Sequence, residues 1–400
     1  MQTPQVRSAK RPSAHRLLLA FVFALFVMIP AVLIGIRYHN ATIFWDAHVY
    51  ASAIHAFANG GDPYALSSYF NFVYPPIFLK TAALLSPIFP LHSGWYIYLT
   101  LNSAAVLAIP IILSRFYLRS SWLTPALAVG LFLFSPLLTA EIALLSGNIS
   151  SLLYAVVLAA GIPGIRRNRW LLFYLAVICA SLIKLPFLAL LLLPLFLGNR
   201  QTVFSIVAAA VVLLEMFFER LLLPAQYKAF LQSVVAQVVI RRDAGFGLFP
   251  HLLRVARYLP VPPVKFAIFA HITITLAVVL CFWLLRKKRE AALCEGVWVA
   301  TILIVAVLAN PRLLTYDADI AILPATLIAV ESIRSLARRK TNPLIITLPI
   351  IIFAVLLSRN PQTAILFFIL CAPLSALAGI PTRQDTPSEH LQNKKPARIS

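Results

Sequence analysis

Apolar runs close to the length of a membrane crossing recur along the whole chain, divided by short connectors that carry Arg, Lys or Pro. A helix needs roughly 20 residues to cross the hydrocarbon of a bilayer, whereas a membrane β-strand needs about half that with alternating polarity. These runs do not alternate. Inside lipid every backbone amide must be satisfied within its own segment or in a closed barrel, so non-alternating runs leave helices. The expected class is therefore an all-α polytopic membrane protein. A soluble fold is excluded by composition, since 61% hydrophobic against 12% charged residues leaves too little polar surface to cover a globule.

A net charge of +21 would suit a nucleic-acid binder if the cations lined one face. Instead they cluster between apolar runs, at Arg115 and Arg119, Arg166 to Arg169, Arg200, Arg286 to Arg289, and Arg334 with Arg338 to Lys340. The positive-inside rule makes those connectors cytoplasmic, with the bilayer and not nucleic acid as the partner. Fitting spans between them gives 17–36, 95–114, 121–143, 149–165, 170–184, 185–197, 202–223, 264–285, 296–310, 318–334, 343–358 and 362–380, about twelve in all. The domain division is a cytoplasmic basic tail 1–16, one integral membrane domain 17–380 and a polar disordered cytoplasmic tail 381–400. The first run, from Leu17 to Ile36, is long for a signal-peptide core and is expected to be retained. The two runs meeting at Lys184-Leu185-Pro186 are short for full crossings and fit tilted half-helices or a re-entrant hairpin. Residues 77–91 fit an amphipathic or re-entrant helix.

This fit gathers four segments on the outer side: 37–76, the turn Glu141 to Asn148, the connector 224–262 and Asn310 to Asp319. Asp46 lies in the first of them, just past a span, and ionisable groups at membrane level are costly and seldom idle. Its carboxylate is the leading candidate for a general base; the plainer reading is an acidic first-turn residue favourable to a helix dipole. His48 and His55 follow at helical spacings and either contact sugar hydroxyls and orient Asp46 or simply pack; no third metal ligand is near. Tyr64 and Tyr74 either stack on a sugar or anchor the loop at headgroup level, and Pro75-Pro76 sets the chain direction.

Six cations, Lys228, Arg241, Arg242, Arg254, Arg257 and Lys265, sit in or just after the outer connector, against the charge rule. Arg241 and Arg242 precede Gly245-Phe246-Gly247, read as a flexible aromatic turn able to close over a phosphate-bearing ligand; attraction to anionic headgroups is the alternative. Lys184, in apolar surroundings, either meets a phosphate or snorkels to water. Asp317 either binds a sugar hydroxyl, serves as a second base or pairs with Arg312, and Asp319 is expected to pair with Arg312 or the connector arginines. Cys179, Cys281, Cys294 and Cys371 lack metal-ligand spacing and a disulfide framework.

Three blocks together carry a family likeness. The first is Asp46-Ala47-His48-Val49-Tyr50 with Gly61-Asp62-Pro63-Tyr64 and Tyr74-Pro75-Pro76. The second is Gly147-Asn148-Ile149-Ser150, running through Arg166-Arg167 to Ile183-Lys184-Leu185-Pro186. The third is Asn310-Pro311-Arg312-Leu313-Leu314-Thr315-Tyr316-Asp317. In this order they resemble the polyprenyl-phosphate-dependent mannosyltransferases of glycosyltransferase family 87, which have the C-type membrane glycosyltransferase fold. The resemblance spans about residues 44 to 325. It implies transfer of a hexose, mannose first among them, from a polyprenyl-phosphate sugar to a glycan or glycolipid acceptor on the outer face of the plasma membrane, with Asp46 as base. Tyr74, Asn148, Lys184, Arg312 and Asp317 fall within the matching blocks as substrate-binding candidates. Some members carry histidine in the last outer loop; here Tyr316-Asp317-Ala318-Asp319 stands there, so no histidine role carries over.

The chemistry suits such a carboxylate. A sugar phosphate already holds its leaving group, so the protein must deprotonate the acceptor, align it and neutralise phosphate charge. Cationic side chains can do the last, and no cofactor or metal is expected. The rival class is a secondary transporter or lipid flippase, which also uses broken spans and buried charges; no internal repeat relates the halves of this chain.

Overall fold

The computed structural model describes residues 44–65, 70–85, 91–118, 140–198, 200–241, 243, 245–290, 295–338, 348, 351–353, 355–356 and 361–379. Among the described residues the regular structure is helical, with no strand. The expected span 17–36, most of 121–143 and of 343–358, both tails, and Arg242 lie outside the described residues.

In chain order the helices are α1 (Trp45–Ala58), α2 (Pro76–Leu85) and α3 (Leu91–Ile112), the last continuing as a π turn, Leu113–Tyr117. Next come α4 (Ala140–Ser146), α5 (Ile149–Arg167), α6 (Leu171–Ile183), a 3-10 stretch Leu185–Leu191, α7 (Leu192–Leu197) and α8 (Thr202–Leu222). After them run α9 (Pro224–Val235), a π turn Ala236–Ile240, α10 (Leu248–Ala256), α11 (Pro263–Glu290), α12 (Glu295–Leu308), α13 (Thr315–Arg338) and α14 (Pro361–Gly379).

Among the described residues, four segments are long and apolar enough to cross a membrane: Tyr96–Tyr117, Ile149–Arg167, Thr202–Leu222 and Pro263–Leu284. The helices at Lys184 are shorter. At ~1.5 Å per residue, α6 reaches only about 20 Å, less than a ~30 Å hydrocarbon core. The chain leaves the helix at Lys184, which is extended (φ −137°, ψ 101°), and Pro186 then opens the 3-10 stretch. Proline disfavours helical geometry in the residue before it, and this gives the break expected from the sequence.

The interior is built on α12 and α13, which pack on each other and on α14, α7 and α5. Nearly every side chain from Val297 to Val307 on α12 is buried, including Thr301, whose hydroxyl donates to Val297 O at 2.8 Å. A helix apolar all round belongs inside a bundle, and here it does not reach the surface. By contrast α8 and α11 expose Phe204, Phe217 and Phe218, and Phe269, Leu276 and Leu284, an apolar periphery suited to lipid.

The connector 224–262 is more ordered than its length suggests. Pro224 at the first helical position starts α9, where its missing N–H costs nothing. Phe249 and Leu253 then bury one face of α10 against Ala267 of α11. Three side chains from this side of the molecule grip the chain just before and at the start of α2. Glu219 Oε1 accepts from Ile77 N at 2.5 Å, Ser233 Oγ donates to Phe72 O at 2.6 Å, and Gln237 Oε1 accepts from Asn71 N at 3.2 Å.

Candidate active site

The site forms where the start of α1 meets the turn before α5. Phe44 adopts left-handed geometry (φ 60°) and its N–H donates to Leu145 O at 2.5 Å, tying α1 to the end of α4. Gly147 is also left-handed (φ 62°), and a Cβ there would come within 2.9 Å of Ala47 Cβ, so a larger residue would push α1 away. The glycine thereby lets Asn148 reach Asp46.

Asn148 is fixed from both ends. Its Oδ1 accepts from Ser150 N at 3.0 Å and caps α5, while its Nδ2 donates to Asp46 Oδ2 at 2.7 Å. The cap bond determines which end of the amide points at the carboxylate. Asp46 sits in the first turn of α1, and its Oδ2 is held from outside that helix, by Asn148. Asn148 Nδ2 also lies 3.4 Å from Tyr74 Oη, which is 2.6 Å from Tyr50 Oη. Tyr64 Oη donates to Tyr74 O at 2.9 Å, and Phe72 and Phe78 pack on the Tyr74 ring. Tyr64 and Tyr74 are thus packed parts of one aromatic cluster.

The Asp46 pKa is raised to about 6, burial pushing it up against the Asn148 hydrogen bond and the charges of Lys184 and Arg312, which pull it down. Burial, with the Asp46 charge, also pushes the Tyr74 hydroxyl up, so Tyr74 stays neutral.

Two cation–carboxylate pairs stand beside Asp46. Lys184 Nζ hydrogen-bonds Ser150 Oγ, lies 3.4 Å from Asp317 Oδ1 and sits 4.9 Å from the centre of the Tyr316 ring. Asp317 Oδ2 in turn accepts from Leu314 N at 3.3 Å, the capping geometry of an acidic residue in the first turn of α13. Arg312 pairs with Asp243: Nη2 reaches Asp243 Oδ2 at 2.5 Å and Nε donates to Asp243 O at 2.9 Å. Gln237 Nε2 donates to Asp243 Oδ2 at 2.6 Å. The ion-pair partner of Arg312 is thus Asp243, which is not among the residues singled out from the sequence, and Asp319 is buried on α13.

His48 and His55 are exposed on α1, where His55 meets Asn59, and Arg241 is exposed at the end of the π turn. Gly245-Phe246-Gly247 is not a free-standing turn. Phe246 N donates to Leu313 O at 2.9 Å, and Gly245 (φ 77°) lies so close that a Cβ would fall 2.2 Å from Leu313 O. The turn is stapled to the Arg312 segment because two backbones touch there.

Asp243 and Gln237 were missed. Asp243 had a signal, as the only Asp or Glu between Glu219 and Glu290 in a strongly basic stretch. Glu219 had one too, as an acid at the end of an apolar run. Nothing local marks Gln237. Among the described residues no group of three or more His, Cys, Asp or Glu could hold a metal ion.

Fold and site together define a helical membrane protein that keeps a carboxylate of raised pKa among tyrosines, an amide and two paired cations. The family model of glycosyltransferase family 87 matches residues 72–311, more than half of the 400-residue chain, and the chain belongs to that family. It is accordingly a membrane glycosyltransferase that uses a sugar donor and an acceptor. Tyr74, Asn148, Lys184, Arg241 and Arg242 fall inside the matched range; Asp46, His48, His55, Tyr64, Arg312 and Asp317 fall outside it. No curated protein and no solved structure matches the chain.

Proposed function

We propose that this protein moves a hexose, mannose, from a polyprenyl-phosphate sugar to a lipid or glycan acceptor, by inverting transfer with Asp46 as general base. The observation that carries the reading is the Asp46 carboxylate, held by Asn148 and shifted to a pKa of about 6. At pH 7 such a group is mostly ionised yet still basic enough to take a proton, which is the compromise a general base needs.

In the proposed step an acceptor hydroxyl attacks the anomeric carbon from the face opposite the phosphate. The new C–O bond forms as the bond to the phosphate oxygen breaks, the hydroxyl proton passes to Asp46, and polyprenyl phosphate leaves with the electron pair. One displacement inverts the anomeric centre. Asn148 engages Asp46 through Oδ2, and Oδ1 is the oxygen assigned to the acceptor. Arg312 and Lys184 supply positive charge for the phosphate, and each already holds a carboxylate, Asp243 and Asp317, as internal counter-ion. Arg241 and Arg242, which immediately precede Asp243 in the chain, are assigned to the donor as well. Tyr64, Tyr74 and Asp317 are assigned to shaping the sugar site, with His48 and His55 at its margin.

The membrane setting belongs to the same proposal: about twelve spans in a C-type glycosyltransferase fold, in the plasma membrane, with the site on the outer face. Purified protein incubated with radiolabelled polyprenyl-phosphate mannose and candidate glycan acceptors should release polyprenyl phosphate and extend an acceptor. Movement of the intact lipid-sugar between leaflets without covalent change would overturn the reading in favour of a flippase.

A further inference from the structure

Between Glu219 and Glu290 the chain carries seven cations up to Lys265 and a single acid, Asp243, which is committed to Arg312 and Gln237. The structure divides those cations. Arg254 and Arg257 lie at the end of α10 and Lys265 at the start of α11, all exposed, and none has a carboxylate partner among the described residues. Phe249, Leu253 and Ala256 turn inward towards Ala267, Val238 and Val264. The opposite stripe, His251, Arg254, Val255 and Tyr258 at helical spacing, turns outward. Tyr258 is 90% exposed and Val255 54%, beside Leu259 and Val261.

This stripe ends where a candidate membrane span begins, at Pro263. The position fixes its depth: Tyr258 and its apolar neighbours stand at the edge of the hydrocarbon, and the guanidinium groups stand at headgroup level. The same span ends in Arg286 to Arg289. Cations at both ends of one span oppose each other in setting its orientation, so the Arg254 to Lys265 group works against the topological signal.

We infer that the surface formed by Arg254, Arg257, Tyr258 and Lys265 is a docking site for anionic lipid headgroups. Three unpaired cations around an exposed tyrosine and aliphatic side chains complement a phosphate-bearing headgroup above its acyl chains. The partner is a bilayer lipid, and the inference does not rest on the transfer reaction.

A local optical readout tests it. In protein lacking Cys179, Cys281, Cys294 and Cys371, Tyr258→Cys carries a bimane fluorophore, and the protein is placed in phosphatidylcholine vesicles containing equal fractions of spin-labelled phosphatidylglycerol or spin-labelled phosphatidylcholine. Phosphatidylglycerol should quench about threefold or more better than phosphatidylcholine, the preference falling with added salt. Adding Arg254→Gln, Arg257→Gln and Lys265→Gln together should bring the ratio to about one. All three side chains are exposed, so the buried face of α10 is untouched; should the triple variant fail to fold, Arg257→Gln and Lys265→Gln singly should each lower the ratio. Equal quenching by both lipids in the unsubstituted background, an unchanged ratio in the variants, or a fluorophore shielded from both lipids by bound protein would overturn the proposal.

Discussion

Asn148 donates from Nδ2 to Asp46 Oδ2 at 2.7 Å while the same amide, through Oδ1, caps α5 at Ser150. One side chain therefore sets both the start of a candidate membrane span and the orientation of the proposed base. Asp46 itself lies in the first turn of α1, 102 residues earlier in the chain.

Replacing Asp46 by Asn should leave donor binding in place and lower transfer by about two to four orders of magnitude. Stability should move the other way. Because burial raises the Asp46 pKa above its ordinary value, ionisation at pH 7 costs folding energy, and the neutral amide avoids that cost. Purified Asp46→Asn protein should melt no lower than the unsubstituted protein in the same detergent. Normal turnover in this variant would remove Asp46 from the mechanism.

The pH profile follows from the same group. The base must be ionised, so kcat/KM should be flat above pH 7 and fall as pH drops through about 6, reaching roughly a tenth of the plateau near pH 5. The sign for stability is opposite. The folded pKa exceeds the usual Asp value of 3.8, so the contribution of Asp46 to stability is full below that value and is lost as pH rises through about 6. Titrating transfer and thermal midpoint together checks both slopes, and an acid limb lying near pH 4 would contradict the assignment.

Arg312 and Asp243 should behave as one unit. The pair is partly exposed, at 25% and 33%, so its worth is less than that of a fully buried pair. Arg312→Ala and Asp243→Ala should each lower kcat/KM, with the double variant no worse than the poorer single one and a coupling of about 1 kcal/mol or more. Arg312→Lys should not restore activity, because a point charge cannot reproduce the two contacts made by Nε and Nη2. Additive effects would show that the pair is incidental.

Gly245→Ala tests the staple. The new Cβ meets both a left-handed backbone and Leu313 O, so a cost of about 1–3 kcal/mol in stability and lower transfer are expected. Gly60→Ala is the control, left-handed as well (φ 73°) but with nothing within 4 Å, and should cost only about 1 kcal/mol. Thermal melts of the two variants, side by side, separate the close approach from the backbone effect.

Sidedness is tested in protein lacking the native cysteines. An impermeant thiol reagent on intact cells should label Gln232→Cys and spare Arg167→Cys, both exposed positions, and permeabilised cells should label both. The reverse pattern would place the site in the cytoplasm, where a nucleotide-sugar donor fits better.

The sequence by itself determined the class and the break. Run length and backbone satisfaction in lipid leave helices, and Lys184-Leu185-Pro186 marks where a helix must stop, since proline constrains its neighbour whatever surrounds it. It also put Asp46, Asn148, Arg312 and Asp317 on segments gathered on one side and singled out Lys184, because ionisable or turn residues beside apolar runs stand out. Tertiary structure decided the pairing. Which carboxylate holds Arg312 depends on how α9 and the π turn lie against the chain between α1 and α2, so Asp243 and Gln237 were reached only through the fold. The same holds for the outward positions of His48, His55 and Arg241, since exposure is set by packing partners distant in sequence, whereas helix length and helix breaks are set by near neighbours along the chain.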